Sequence, residues 1–165
     1  MERTEELSRL LTEDGFAEAV NGLRRLLFYV SYSVLGDRES CADAVQNALL
    51  KAWSKRSSLR DPGKFKSWLV KIVLNESKAL AMRPRTCELN EAMPAEDGNT
   101  DERADVKAAV MRLKEKYRTP VILYYYEDMT VDEIAEALGA PKGTVAVWLS
   151  RGRDQLRKEL RDYDE

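Results

Sequence analysis

One polar stretch, Arg83–Thr100 (RPRTCELNEAMPAEDGNT), most limits what this chain can build. It carries two prolines and a glycine, and its few apolar residues follow no helical or strand period. A stretch of this kind reads as a flexible tether, so the 165 residues divide into two small units rather than one continuous core. The reading places one unit at 1–83, an acidic flexible linker at 84–105, and a second unit at 106–165.

Both units read as all-helical. Leu23–Leu35 (LRRLLFYVSYSVL) is the most apolar run; at this length it suits a buried helix and is too short to span a bilayer. Gly36-Asp37 interrupts it, and Asp37 is placed to cap a second helix over Ser40–Lys55. There Cys41, Ala44, Val45, Ala48, Leu49, Ala52 and Trp53 recur at helical spacing. Asp61-Pro62 reads as a cap followed by proline in the first helical position. Phe65, Trp68, Leu69, Ile72, Val73 and Leu80 then lay one stripe on a helix from about Pro62 to Met82. After the tether, helices are expected over Asp101–Tyr117 and Arg118–Glu127, with Pro120 in the first turn of the latter. Val131–Leu138 is expected behind a Thr130/Glu133 capping box, and a last helix runs from Pro141 to about Arg161.

The net charge of -2 conceals a pattern. Phe16–Arg83 has twelve basic and six acidic residues, and Val106–Arg161 has eleven basic and eight acidic. The opening fifteen residues, Pro84–Asp105 and Asp162–Glu165 are each net acidic. Two basic blocks between acidic segments suit a polyanion partner. With no histidine and only Cys41 and Cys87, far apart, there is no His- or Cys-liganded metal site to propose, and free thiols in a reducing cytoplasm are expected. MERTEELSRLLTEDG is polar and acidic, unlike a secretory leader. No nucleophile–base pair stands out, and the commonest general base is missing, so catalysis, cofactors and a small-molecule substrate are not expected.

The strongest local pattern is a helix-turn-helix across Val131–Leu149. Ile134, Ala135 and Leu138 would face inward from its first helix, Gly139 would allow the turn, and Val145 and Leu149 would face inward from the second. The second helix would then present Lys142, Thr144, Ala146, Val147 and Ser150 to base edges, with Arg151 and Arg153 for phosphates. A helical hairpin that binds nothing fits the same spacing.

On these residues the chain resembles the extracytoplasmic-function group of the bacterial sigma-70 family. TVDEIAEALGAPKGTVAVWLSRGRDQL (Thr130–Leu156) is similar to the family's C-terminal promoter-binding region, and LKEKYRTPVILYYY (Leu113–Tyr126) to that region's first two helices. LGDRESCADAVQNALLKAW (Leu35–Trp53) resembles the core-polymerase-binding segment, and FKSWLVKIVLN (Phe65–Asn75) the promoter-melting segment. The resemblance implies a factor that guides bacterial core RNA polymerase to promoter DNA and is held inactive by an anti-sigma partner. It implies that Asp43, Gln46, Asn47, Leu50 and Lys51 meet polymerase. The loop Ser57–Lys64, with Arg60, would capture an unstacked base. Lys64, Lys66, Lys71, Asn75 and Lys78 would hold the single strand. The chain departs from the family at Ala146, usually basic, at Trp148, often arginine, at Ala79, usually acidic, and in the thin basic run Met82-Arg83-Pro84-Arg85.

Other readings stay open at this stage. A stand-alone helix-turn-helix regulator would need no first unit, and a degenerate relative that sequesters a partner would tolerate Ala146 and Met82. Trp53 and Trp68 read as core residues. Trp148 reads either as packing at the edge of the recognition helix or as a contact with DNA sugars and thymine methyls, and Tyr124, Tyr125 and Tyr126 as divided between core and surface.

Overall fold

The computed structural model describes residues 1–84 and 101–164, with side-chain surroundings given for 1–84 and 105–162. Among them there are helices and turns and no strand: α1 (Glu2–Leu10), α2 (Glu13–Gly22), α3 (Arg24–Leu35), α4 (Arg38–Ser54), α5 (Phe65–Ala81), α6 (Asp101–Arg112), α7 (Glu115–Val121), α8 (Val131–Leu138) and α9 (Lys142–Asp164). The expected tether over 85–100 lies outside the described residues. The second unit is already helical from Asp101.

The first unit is built on α3, α4 and α5, which pack pairwise. The Asp37 side chain accepts the Ser40 N–H at 2.8 Å and starts α4. Asp61 accepts the Gly63 N–H at 3.0 Å and sets a 3₁₀ turn, Pro62–Lys64, ahead of α5, so the helix proper begins three residues later than expected. Leu26, Leu27 and Val30 of α3, Ala48 and Ala52 of α4, and Phe65, Leu69 and Val73 of α5 are buried together. The small alanines bring α4 close to its neighbours. Cys41 is buried with Tyr32, Leu35 and Ala44 in a smaller cluster. The acidic N-terminal segment forms α1 and α2, two helices that no expectation covered. Thr12 caps α2 by accepting the Gly15 N–H, and Phe16 inserts between Trp53 and Phe65 at ring distances of 5.2 and 5.7 Å.

In the second unit the single helix expected over Asp101–Tyr117 is broken. Lys114 is extended, and the chain restarts as α7 at Glu115. The break lets Leu113 and Tyr117 both reach the core. Pro120 consequently lies inside α7 rather than in a first turn, and the helix relaxes into a π-helical turn over Ile122–Tyr126. Proline removes one backbone donor there, and wider hydrogen-bond spacing is the usual response to such a defect.

The two units do not stand apart. α5 packs against α8, and α3 against α7 and the π-turn. A continuous apolar cluster joins Leu69, Val73 and Leu74 to Val121, Ile122, Leu123, Met129 and Ile134. This explains why α5 is buried on a wider arc than its expected stripe: Val70 and Leu74 are covered as well. Polar groups cross the same junction. The Ser33 and Thr119 hydroxyls share a buried hydrogen bond at 3.0 Å. Arg25 approaches the Glu127 carboxylate at 3.6 Å, and Lys66 donates to the Glu127 carbonyl oxygen at 3.2 Å.

Candidate nucleic-acid interface

Three exposed surfaces gather the residues expected to bind. The first is on α4. Asp43, Gln46, Asn47 and Leu50 are spaced by three, four and seven, which puts them on one face. All four are exposed, and Leu50 is 63% accessible, an unusual position for a leucine with a core available. Ala44, Ala48 and Ala52 anchor the opposite side of the helix. Lys51 is also exposed, and its ammonium is paired to Glu76 of α5, so it is already engaged within the chain.

The second surface runs along α5. Lys71, Asn75 and Lys78 recur at spacings of four and three and are exposed, and Lys64 extends this stripe by two turns. Lys66 departs from it: it lies on the far side of the helix, half-buried, bonded to the Glu127 backbone. Upstream, the loop of Ser57–Lys64 is held rigid. Leu59 is buried and Asp61 caps the 3₁₀ turn. Arg56 lies 3.8 Å over the Trp53 ring and donates to the Trp53 carbonyl oxygen. Arg60 projects from this loop into solvent. Loop and helix enclose a cleft of about 520 Å³ lined by Arg60, Lys64, Ser67, Trp68 and Lys71. Trp68, expected in the core, is half-buried and forms one wall of the cleft.

The third surface is the helix-turn-helix. Thr130 accepts the Glu133 N–H at 3.1 Å and its hydroxyl meets the Glu133 carboxylate at 3.2 Å, so the cap forms, with the return contact made side chain to side chain. Gly139, at φ 64°, sits in the left-handed region that the turn requires. Ile134, Val145 and Leu149 are buried as expected. Ala135 and Leu138 are only half-buried, and Ala137 takes the fully buried place instead. With Val145 and Leu149 inward, Lys142, Ala146, Val147, Ser150, Arg151 and Arg153 are exposed and Thr144 is half-exposed. Lys142 pairs with Asp132 across the turn at 2.7 Å. The Arg151 guanidinium, as a hydrogen-bond donor, lowers the pKa of the Tyr117 phenol. Trp148 is half-buried against the core. Tyr124 and Tyr125 are exposed, and burial pushes the Tyr126 phenol up.

Sequence reasoning missed two acidic residues at this interface. Glu136 of α8 lines the cleft and pairs with Lys64 at 3.1 Å. Glu127 meets Arg25 and Lys66. The available signal was charge: α8 carries Asp132, Glu133 and Glu136, opposite in sign to the α5 stripe.

Comparison with known proteins gives this arrangement a lineage. Residues 19–83 match the family description Sigma-70 region 2, and residues 103–156 match Sigma-70, region 4. The sigma factor SigW of Bacillus subtilis, an extracytoplasmic-function protein, is 28% identical over 170 residues, covering 91% of each chain. RNA polymerase sigma factor SigV of the same organism is 30% identical over 146 residues, covering 83% of this chain and 86% of that one. Among solved structures, the Bartonella quintana sigma factor RpoE, in complex with the anti-sigma factor NepR, superposes with a TM-score of 0.76 at 25% identity, covering 91% of this chain and 98% of that one. Two family regions in their proper order, and relatives aligned nearly end to end, establish that the chain belongs to the sigma-70 family of RNA polymerase sigma factors, in its extracytoplasmic-function group.

Proposed function

We propose that the three exposed surfaces divide the work of promoter recognition. Asp43, Gln46, Asn47 and Leu50, with Lys51 at the edge, form the face that meets core polymerase. The cleft behind Ser57–Lys64 and the Lys64–Lys71–Asn75–Lys78 stripe take the melted strand, chiefly through phosphate charge. Lys142, Thr144, Ala146, Val147 and Ser150 enter the major groove of the upstream element, with Arg151 and Arg153 on its phosphates. Lys66 acts at a distance from the strand, by holding Glu127. The protein works by binding and positioning, without covalent chemistry, in the cytoplasm where polymerase resides. An anti-sigma protein is the regulatory partner, a reading supported by the solved relative held in such a complex.

The observation that carries the assignment is the exposure of a leucine and three polar residues on one face of α4, while the alanines opposite are buried. Reversing the charge there tests it. Asp43→Arg should abolish co-purification with core polymerase while helicity by circular dichroism stays unchanged. Wild-type retention of polymerase by that variant would remove α4 from the interface. Run-off transcription with core polymerase on a cognate promoter tests the whole reading; a chain that sequesters a partner would give no transcript.

A further inference from the structure

We infer that Val147 reads the 5-methyl group of a thymine, so that the upstream element selected by this chain holds a thymine at the step facing Val147. The inference rests on the placement of α9 in the major groove and goes beyond it, by naming what the helix reads there.

The first observation is what the helix lacks. From Gly143 to Ser150 it runs GTVAVWLS, without a charged or amide side chain. Arginine, lysine, asparagine and glutamine are the side chains that make paired hydrogen bonds to guanine or adenine, and acidic ones accept from cytosine. None stands in this stretch. The cations at its two ends are engaged within the chain: Lys142 pairs with Asp132 at 2.7 Å, and Arg151 is a hydrogen-bond donor to the Tyr117 phenol. Base discrimination at the middle of the helix therefore falls to apolar contact.

The second observation is what the helix exposes. Val147 is 46% accessible and lies opposite Val145 and Leu149, which are buried. Among the described residues of α9 it is the large apolar side chain left exposed. Trp148, the other candidate for such a contact, is half-buried against the core. Valine is a poorer helix former than alanine, so helix stability does not account for it at an exposed position. The approach to it is open. Gly143 lies one turn earlier on the same face, and a Cβ built there meets nothing within 4 Å, so no packing contact requires the glycine. With Gly143 bare and Ala146 short, the helix can come close to the base edges.

The thymine methyl is the apolar group that base edges present in the major groove. Against guanine or cytosine, the valine branches would strip water from hydrogen-bonding atoms and return no bond. Against thymine they bury a methyl instead. The contribution is that of one buried methyl group, roughly a fourfold preference over the same edge without it. Arg153 on the phosphates fixes the register in which this contact is made, and Ser150 can bond to either base of a pair.

Replacement of thymine by deoxyuridine removes that methyl and leaves base pairing intact. The full chain, assembled with bacterial core polymerase, is used to enrich duplexes from a library carrying a randomised upstream block. Each thymine of the enriched block is then replaced in turn by deoxyuridine, and binding is measured by competition. One position should weaken binding roughly fourfold when its methyl is lost. At that position Val147→Ala should bind the thymine and deoxyuridine duplexes alike. A urea midpoint at or above wild type for this variant shows that the fold is kept, since alanine favours the helix. Enriched blocks with no fixed thymine, no position sensitive to the methyl, or full sensitivity retained in Val147→Ala overturns the inference while leaving α9 on the duplex. Failure of the wild-type assembly to enrich any upstream sequence overturns the placement of α9 and the inference with it.

Discussion

Gly152 shows how much of this fold turns on single side chains. It is buried where α9 crosses α7, and a Cβ at that place would lie 2.8 Å from Val121 Cγ2 and 3.6 Å from Tyr117 Cβ. Val121 is itself buried and β-branched, so it has little freedom to yield. Alanine would normally gain about 1 kcal/mol over glycine within a helix, but overpacking of this kind costs about 1–3 kcal/mol. Gly152→Ala is therefore expected to lower stability by roughly 1 kcal/mol net, read as a reduced urea midpoint at unchanged slope. A midpoint at or above wild type would show that α7 and α9 can move apart. Asp37 makes a complementary case. It is nearly fully buried, and its carboxylate accepts the Ser40 N–H. Asp37→Ala should cost about 0.5–2 kcal/mol through the lost cap alone, measurable in the same titration.

At the scale of elements, the recognition helix owes its function to its period. Val145 and Leu149 point into the core, and that choice alone exposes Ala146, Val147, Ser150 and Arg153 on the other side. After Lys142, the basic side chains of this face are Arg151 and Arg153, with neutral residues at Thr144, Ala146, Val147 and Ser150 between. Binding to the upstream element should accordingly depend on phosphate contacts from these two arginines. Arg153→Ala is expected to weaken duplex binding about equally across sequences and to reduce the slope of log affinity against log salt by about 1. A sequence-selective loss with an unchanged salt slope would instead make Arg153 a base reader. α5 is an element with two duties. One arc holds the core of the first unit, a second arc receives α8, and the basic stripe occupies what remains exposed.

At the scale of the molecule, the apolar cluster that runs from Leu69 and Val73 through Leu123 and Ile134 couples the two units. Burial of each such side chain contributes about 1.5–3 kcal/mol, enough in sum for the units to unfold together. Thermal unfolding should therefore show one transition, coincident by circular dichroism and by tryptophan fluorescence. Trp53 and Trp68 report on the first unit and Trp148 on the second. Two separated transitions would mean that the seam between α5 and α8 contributes little in solution.

The helices, the caps at Asp37 and Thr130, the stop at Gly139 and the inward residues of the recognition helix were legible in the sequence, because each depends on spacing within a few residues. The same is true of the exposed faces of α4 and α9. The first two helices were not legible, since their apolar residues are few and gain their meaning only from Phe16 reaching Trp53 and Phe65. The break at Lys114 was hidden too, because the pattern across it stays helical and only packing divides it. Local spacing thus determined that α3, α4, α5, α8 and α9 form and which faces of α4 and α9 stay exposed. Tertiary structure alone decided that α8 lies on α5 and that Glu136 reaches Lys64, because contacts between residues 72 positions apart depend on how two apolar faces meet and leave no periodic trace along the chain.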